Sequence, residues 1–461
     1  MTLGIPFSIY YGDNDIYVLL FSGIGTAGIG GLTFYFTKDH RKDIKKKDGY
    51  IIVSSSWLVM SLFGAIPFVI HGSIPSYTDA FFETMSGFTT TGASILNNIE
   101  ELPHGLLFWR SITQWMGGMG MIVLSLAILP VLGIGGMQLF VAEVPGPTKD
   151  KIHPRIGETA KRLWGIYVIF TLVETVLLYL GGMTVFESIN HAFTTMATGG
   201  FSTKQASIAA YDSPYLQYVM IVFMFAAGIN FSLHYHLLHF NFKVFSKNEE
   251  FKFYTKLTVV IALLVAVVLY FSNYADLEKS FRDSLFQVVS LITTTGYVTA
   301  DYEMWGPFFQ VLFFLLLFIG GCAGSTGGGI KVVRHLLLFK NSLLELRRLI
   351  HPRAVIPVRF NGTAVPQDII SNVLAFFLFY ILIFVVGTII MSILGLDFLS
   401  AIGSVATSLG NVGPAIGSVG PSYNFAHIPD LGKWLLSILM LMGRLELFTI
   451  LIIFSPAFYK K

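Results

Sequence analysis

Four short stretches of threonine, serine, asparagine and glycine interrupt otherwise apolar sequence and are the first candidates for chemistry in this 461-residue chain. Each contains a glycine, the residue that tolerates left-handed backbone and close approach of a ligand. Irregular backbone between membrane-length apolar segments survives where it lines a water-filled path. Carbonyls of such loops could bind a cation, so an ion path is our first hypothesis. The stretches are residues 89–94, 197–202, 293–298 and 409–414.

The four stretches recur at nearly even spacing. Their last glycines, which we call the register glycines, lie 108, 96 and 117 residues apart, at Gly92, Gly200, Gly296 and Gly413. Each stretch follows a similar short amphipathic segment, at residues 79–85, 187–193, 283–289 and 398–404. An ordinary turn between helices would explain any single copy, but four copies in register favour four repeats.

A glycine-rich segment at residues 320–329 interrupts the apolar sequence of the third repeat. The apolar run before it, residues 308–319, spans about 18 Å as a helix, short of the ~30 Å hydrocarbon core. The break therefore falls within the membrane, and its flexible backbone suits a gate across the path. A phosphate-binding loop is disfavoured because no adjacent lysine and hydroxyl residue follow the last glycine. A packing break between helices remains the alternative. The predicted gate residues here are Gly324, Ser325, Thr326, Gly327, Gly328 and Gly329.

Arg444 is a charged residue within the apolar run 435–453. A charge at the centre of a membrane helix costs about 2.5 to 3.5 kcal/mol on insertion scales, so the side chain should face the path or a partner. Glu446 lies on another helix face and is therefore an unfavourable partner. We predict that Arg444 contacts carbonyls of the glycine-rich segment, or the hydroxyls of Ser325 and Thr326, and belongs to the gate. An ion pair with Glu174 or another acid is the alternative.

Other clusters carry weaker signals. His234, His236 and His239 could suggest a metal site, but their spacing does not align them on one helix face, so we interpret them as interfacial. No span contains the paired carboxylates or the metal-ligand cluster that would predict an enzyme.

Composition predicts a polytopic membrane protein. The chain is 54% hydrophobic and 12% charged, compared with about 25% charged in a typical soluble domain. The net charge of +3 includes no basic, aromatic-interleaved face, so we expect no nucleic-acid partner. The single cysteine, Cys322, excludes an internal disulfide, and the N-terminus lacks the features of a signal peptide.

Basic residues predict the orientation of the chain. Residues 16–36 are long enough to cross a bilayer, and the basic cluster after them places the following loop in the cytoplasm and the N-terminus outside. Further predicted spans are 51–71, 106–132, 163–183, 216–240, 257–271, 308–319, 369–394 and 435–453. All four threonine/glycine stretches then lie on the extracellular side, and the C-terminus is cytoplasmic. The residues predicted at the cytoplasmic side include Lys38, Arg41, Lys42, Lys45, Lys149, Lys151, Arg155, Lys331, Arg334, Arg347, Arg348, Arg353, Lys460 and Lys461.

The predicted fold is an all-α polytopic membrane protein, with four helix–pore-loop–helix repeats around one pore and an additional N-terminal transmembrane helix. The N-terminal helix and its basic loop occupy residues 1–48, and the repeats occupy 49–148, 149–246, 247–351 and 352–461. This is the architecture of a potassium-channel pore unit, in which short half-helices direct the negative ends of their dipoles towards a cation.

In these loops and in residues 114–120, 135–139, 320–329 and 443–446, the chain resembles the Trk/Ktr/HKT superfamily of potassium transporters, most of all the bacterial Trk-type potassium uptake pore subunit. Such subunits usually carry two extra helices before the first repeat, where this chain offers only residues 16–36. The resemblance implies a homodimer in the bacterial inner membrane, with one pore per protomer and a cytosolic RCK/KTN-type nucleotide-binding regulatory subunit. It also implies K⁺ as the transported ion, contacts with membrane lipids, and no tightly bound organic cofactor.

Backbone carbonyls can replace the water around a potassium ion without binding it too tightly for release. A glycine at the register position of every repeat is the family pattern that accompanies preference for potassium, and the first here is Gly92. We therefore predict potassium uptake through a carbonyl-lined selectivity filter, gated by the glycine-rich segment and a cytosolic regulator. The alternative is a secondary transporter coupling potassium to protons or sodium, for which Glu174 is the clear acidic candidate. The predicted filter residues are Thr90, Thr91, Gly92, Thr198, Gly199, Gly200, Thr294, Thr295, Gly296, Asn411, Val412 and Gly413.

Overall fold

The computed structural model describes residues 1–38, 46–127, 156–272, 274, 276–354 and 356–459. Within these ranges the chain is helical apart from its connecting loops and one small antiparallel hairpin, in which β1 (Arg359–Phe360) pairs with β2 (Thr363–Ala364). The predicted all-α fold class is confirmed. Several sequence predictions lie outside the described residues, namely the string 135–139 and the basic residues Arg41, Lys42, Lys45, Lys149, Lys151, Arg155, Lys460 and Lys461.

The N-terminal part contains two short helices, Thr2–Gly4 and Ile5–Tyr11, and the predicted long helix, which runs from Ile16 to Thr37. This long helix is apolar and mostly exposed, as expected for a helix surrounded by lipid. The loop before it is tied to the first repeat, because a carboxylate oxygen of Asp13 accepts a hydrogen bond from the backbone N–H of His104 at 2.7 Å.

Each repeat contains a leading helix and a shorter helix, which we call half-helices 1 to 4. The leading helices are Lys46–Gly64 with its continuation Ile66–His71, then Ile156–Leu180, Glu249–Phe271 and Gln367–Ile393. The half-helices are Tyr77–Phe88, Val185–Met196, Leu277–Ile292 and Phe398–Gly410. A 3₁₀ turn follows each one in the chain, at Ile99–Glu101, Ser207–Ala210, Tyr302–Trp305 and Gly417–Val419.

A trailing helix closes each repeat. The first is His104–Ala127 and the second consists of Pro214–Ala227 and Phe231–Leu238. The third consists of Pro307–Leu316 and Val332–Ile350, and the fourth of Asp430–Arg444 and Phe448–Phe454. Two further short helices are Phe242–Lys247 and Pro456–Tyr459. By length and composition, five described helices could cross a membrane, or up to seven if each bent pair is one span.

The predicted spans 216–240 and 435–453 each consist of two helices joined at a sharp bend, and not of one continuous helix. The helix axis bends by 105° after Ala227 and by 115° after Arg444. At the first break, Asn230 caps a new helix by accepting a hydrogen bond from the backbone N–H of Ser232 at 2.8 Å. At the second, Glu446 and Leu447 adopt positive φ angles of 57° and 42°. Apolar composition does not reveal these breaks, because they are stabilised by tertiary contacts.

Every half-helix begins at a side-chain cap. The cap residue accepts a hydrogen bond from the backbone N–H three residues later, which satisfies one donor that the first helical turn leaves unpaired. The caps are Ser76, Thr184, Asp276 and Asp397. Since all four half-helices run from their caps into the threonine/glycine loops, the negative ends of their dipoles face those loops.

The half-helices pack into a ring that joins the repeats. Each contacts the leading and trailing helices of its own repeat. Half-helix 2 also packs on trailing helix 1, half-helix 3 on trailing helix 2, and half-helix 1 on Asp430–Arg444 of the fourth repeat. The contact between the first and fourth repeats closes the ring, which places the four loops around a common centre.

Candidate ion pathway

The loops after the half-helices share one backbone conformation. Thr90, Thr198, Thr294 and Asn411 have φ angles of 53°, 52°, 59° and 54°, in the left-handed region. Two residues later the register glycines again have positive φ, at 81°, 75°, 81° and 103°. Threonine rarely adopts this conformation, so the surrounding structure must hold it, and these three threonines are fully buried. The sequence indicated the glycines but not the preceding left-handed position.

The four loops form a closed ring in chain order. A Cβ atom built on any register glycine would overlap a backbone carbonyl oxygen of the next loop, and that of the fourth would meet the first loop. The distances would be 2.2 Å from Gly92 to Gly199, 2.0 Å from Gly200 to Thr295, 1.9 Å from Gly296 to Val412 and 2.8 Å from Gly413 to Thr91. Glycine is therefore required for steric reasons as well as for its φ angle.

Each loop contains a buried carbonyl at the left-handed position without a protein partner. In the described part of the chain, no N–H or O–H group donates a hydrogen bond to the carbonyl oxygen of Thr90, Thr198, Thr294 or Asn411. Buried backbone carbonyls are normally paired. Four unpaired carbonyls at equivalent positions of one ring therefore offer oxygen ligands to a cation or to water.

Two other predicted ligand carbonyls already have partners. The Gly199 oxygen accepts a hydrogen bond from Nε2 of Gln114 at 2.7 Å, and the Gly413 oxygen accepts one from Oγ1 of Thr407 at 3.0 Å. The sequence had no signal for these contacts, because Gln114 lies on trailing helix 1 and reaches the loop of the next repeat. Their hydrogen bonds therefore stabilise the conformation of the ring.

Side chains also join the loops to neighbouring repeats. Nδ2 of Asn411 donates to Oγ1 of Thr91 at 3.0 Å and to the Met440 carbonyl at 2.8 Å. The Tyr297 hydroxyl, just after the third register glycine, donates to the His191 carbonyl in half-helix 2 at 3.2 Å. The loops are thus positioned mainly by contacts between repeats.

The glycine-rich segment is non-helical, as predicted, and lies against several repeats. The Thr326 hydroxyl donates to the Met196 carbonyl, at the end of half-helix 2, at 3.0 Å. The Gly328 N–H donates to Oγ1 of Thr294 in the third loop at 2.7 Å. A Cβ on Gly328 would lie 2.6 Å from Cβ of Asn411 in the fourth loop. The segment therefore contacts loops or half-helix ends of three repeats on one side of the ring.

Arg444 lies at the end of a helix and is only 1% exposed. Its Nη1 donates to the Thr326 carbonyl at 2.6 Å and its Nη2 to the Gly117 carbonyl of trailing helix 1 at 3.0 Å. The predicted contact with the glycine-rich segment is made through a carbonyl and not through a hydroxyl. Among the described residues, Arg444 forms no ion pair with Glu174.

Lys331 and Arg334 correct the sequence analysis, which assigned them to the basic cytoplasmic surface. They are 3% and 8% exposed. Lys331 donates from Nζ to the Gly327 carbonyl, and Arg334 pairs with Glu446 at 2.5 Å. The signal that could have identified them is their position, because they follow directly on the glycine-rich segment at the start of a helix.

The histidines do not form a cluster. His234 is buried with Nε2 2.8 Å from the Ala226 carbonyl, and His239 is exposed with Nδ1 2.9 Å from the Tyr235 carbonyl. No group of three or more histidine, cysteine, aspartate or glutamate residues suited to a metal ion occurs in the ranges that the structure describes.

Comparisons with known proteins agree with this architecture. Residues 20–460 match the family described as TrkH, cation transport protein. The Trk system potassium uptake protein TrkH of Salmonella typhimurium is 44% identical over 94% of this chain and 90% of its own length. The corresponding protein of Vibrio parahaemolyticus is 43% identical over 99% of this chain and 93% of its own length.

A solved structure is similar over the same extent. The crystal structure of the potassium transporter TrkH from Vibrio parahaemolyticus superposes with a TM-score of 0.91 at 39% identity, covering 99% of this chain and 95% of that one. The match spans the half-helices, the four loops and the broken trailing helices together. The chain therefore belongs to the TrkH family of cation transport proteins.

Proposed function

We propose that this chain takes up potassium across the bacterial inner membrane through the ring formed by the four loops. The observation that carries the proposal is the set of four unpaired, buried carbonyls at the left-handed positions of the ring. Carbonyl oxygens compensate a cation for lost water without binding it irreversibly. The half-helix dipoles add negative potential at the same place. The relatives are named potassium uptake proteins, which supports K⁺ as the ion.

We further propose that the twelve predicted filter residues act unequally. The carbonyls of ten of them, including Thr90, Thr198, Thr294 and Asn411, accept no hydrogen bond among the described residues and are therefore available as ligands. Those of Gly199 and Gly413 hold the ring in shape through their existing hydrogen bonds. The architecture supports the boundaries of the four repeats at residues 49–148, 149–246, 247–351 and 352–461 as functional units.

The glycine-rich segment is proposed as the gate. It contacts repeats 2, 3 and 4 through Met196, Thr294 and Asn411, and Arg444 joins it to Gly117 of repeat 1. The segment is thus joined to three repeats directly and to the first through Arg444, which supports a position across the ion path. Arg444 and Lys331 bring two positive charges to its carbonyls, so the same side chains would hold the segment in place and repel a cation.

The proposed partners are a second copy of the chain, a cytosolic nucleotide-binding regulatory subunit and membrane lipids. The relatives' names refer to a Trk system, which supports association with further components. On the proposed cytoplasmic side, Arg347 and Arg353 are exposed. Arg348 already donates hydrogen bonds to the Glu345 carboxylate at 2.5 Å and to the Ile356 carbonyl at 2.7 Å. Arg347 is therefore the better candidate for docking.

The alternative, coupled transport, is favoured by one observation. Glu174 is fully buried in leading helix 2 and forms no ion pair among the residues described. A carboxyl group in such a place could carry a proton. We expect instead that the potassium current reverses at the potassium equilibrium potential in parent and Glu174→Gln proteins, with or without a pH gradient. Reversal potentials in planar bilayers measure this, and a shift of reversal with the proton gradient would favour the carrier.

The filter assignment predicts that Gly92→Ser and Gly296→Ser each lower the potassium-to-sodium permeability ratio by about tenfold, since about 1.4 kcal/mol of differential binding suffices. The new Cβ would meet a carbonyl of the next loop at 2.2 or 1.9 Å and displace it. Bi-ionic reversal potentials give the ratio. Gly72→Ser is the matched control, because Gly72 has the same φ of 81° with nothing within 4 Å. Parent-like ratios in both filter variants would contradict the assignment.

The gate assignment predicts that Arg444→Ala raises potassium flux without the activating nucleotide. We expect a rise of about tenfold or more, because one hydrogen bond to a charged group contributes about 1.5 to 3 kcal/mol. Flux into proteoliposomes measures this, with the permeability ratio unchanged. Arg444→Lys should give intermediate flux, since an ammonium cannot reach the Thr326 and Gly117 carbonyls as a planar fork does. Well-folded Arg444→Ala protein with flux at or below the parent level would refute the gate.

The docking assignment predicts that Arg347→Glu weakens binding of the cytosolic regulator and its nucleotide response. We expect about a tenfold loss of affinity, the equivalent of about 1.4 kcal/mol, from reversing one exposed charge at an acidic partner surface. Co-purification and nucleotide-dependent flux measure this. Lys279→Glu, a charge reversal at another exposed residue at the start of half-helix 3, is the control. Unchanged co-purification of Arg347→Glu would leave lipid head groups as the ligand.

A further inference from the structure

A buried ion pair lies behind the first loop. Glu83 of half-helix 1 and Arg110 of trailing helix 1 are joined through Oε1 and Nε at 2.7 Å. Their side chains are 1% and 3% exposed. Removing two charges from water is costly, and a buried pair often does no better than apolar residues in stabilising a fold. The pair therefore calls for an explanation other than stability.

Glu83 supports the chain segment that leaves the first loop. Its Oε1 accepts a hydrogen bond from the Ser94 hydroxyl at 2.9 Å, and its Oε2 accepts one from the Ile95 N–H at 2.9 Å. These residues follow the register glycine, Gly92, by two and three positions. A single carboxylate thus holds the exit of loop 1 against the half-helix that precedes it.

Arg110 extends the same support to the second loop. Its Nη1 donates to the Ser202 carbonyl at 3.0 Å, and its guanidinium carbon lies 3.5 Å from the centre of the Phe201 ring. Phe201 and Ser202 follow directly on the second register glycine. The Ser202 hydroxyl is in turn 3.0 Å from Nε2 of His191. A continuous hydrogen-bonded chain therefore joins the exits of loops 1 and 2 through the ion pair.

The equivalent positions of the other repeats show what is distinctive here. The residue nine positions before the register glycine is Glu83, His191, Gln287 and Ser404 in the four repeats. Gln287 supports its own loop exit through Nε2, which donates to the Ala300 carbonyl at 3.3 Å. A neutral side chain is thus sufficient within one repeat. The charged pair in repeat 1 adds a connection between two loops.

We propose that Glu83 and Arg110 form a positioning ion pair that sets the separation of loops 1 and 2, and through it the preference of the ring for potassium over sodium. The inference rests on the proposed role of the loops as a filter. We expect discrimination between ions that differ in radius to need loops that do not close around the smaller one, and the pair links the two loops through side chains that are only 1% and 3% exposed. Neither side chain needs to touch the ion.

The pair also neutralises a charge at the ring. Arg110 lines an open depression shared with the four register glycines. An unpaired guanidinium at this place would repel an entering cation, and the adjacent Glu83 carboxylate offsets it. Loss of Glu83 should therefore change two separate properties, the ion preference through geometry and the entry of potassium through charge.

The test compares Glu83→Gln, Arg110→Gln and the double variant by bi-ionic reversal potentials and by flux against external potassium. We expect each single variant to lower the permeability ratio about tenfold. The double variant should lower it no further, because all three variants lose the same connection between loops 1 and 2. Glu83→Gln should also raise the potassium concentration for half-maximal flux, most strongly at low ionic strength. The double variant should restore that concentration but not the ratio.

Asp79→Asn is the matched control, because it removes another carboxylate of half-helix 1, paired with Lys433 at 2.5 Å and away from the loop. It should keep the parent ratio. If Glu83→Gln does not accumulate, Arg110→Lys keeps the charge but loses the planar guanidinium, which bonds Glu83 through Nε and Ser202 through Nη1, and it should still lower the ratio. Parent-like ratios in the pair variants while Gly92→Ser changes the ratio would overturn the positioning role alone. Parent-like ratios in all of them would overturn the filter assignment itself.

Discussion

The steric closure of the ring determines how the surrounding helices and side chains are arranged. Four loops meet so closely that each register glycine leaves no room for a Cβ beside the carbonyl of the next loop. Such packing forces the residue two positions earlier into left-handed backbone, even where it is threonine. The left-handed conformation is unfavourable and must be stabilised by the surrounding structure. That stabilisation comes from the half-helices, their caps and the hydrogen bonds of Gln114, Asn411 and Tyr297.

The ring is nearly symmetric, but its supports are not. Two groups of buried charged side chains near the loops each join different repeats. On one side, Glu83 and Arg110 connect the exits of the first two loops. On the other, Arg444, Lys331 and the pair of Arg334 with Glu446 surround the glycine-rich segment. A chain built from four similar units in one polypeptide can place such features once, which a ring of four identical subunits cannot do.

The broken trailing helices belong to the same arrangement. The breaks after Ala227 and Arg444 and the glycine-rich segment lie in three successive repeats and pack on one another, as Phe231 N–H donates to the Gly324 carbonyl at 3.1 Å and Arg444 to the Thr326 carbonyl at 2.6 Å. The glycine-rich segment also pairs with backbone groups freed at the first break, since Cys322 N–H donates to the Gly228 carbonyl at 2.8 Å. Non-helical backbone at this depth is therefore tolerated because it is buried in protein.

The fold class, the four repeats and the positions of the loops could be predicted from the sequence alone. These follow from local properties, since apolar length and the recurrence of glycine can be read one segment at a time. The sequence also indicated the break at residues 320–329 and a contact of Arg444 with that segment. Which carbonyls are free depends on the folded chain, because Gln114 and Thr407 reach Gly199 and Gly413 through space. The burial of Lys331 and Arg334 and the bends in two trailing helices were likewise not predictable from composition. The physical reason is the same, because residues distant in sequence pair with the buried charges and with the backbone groups freed at the bends.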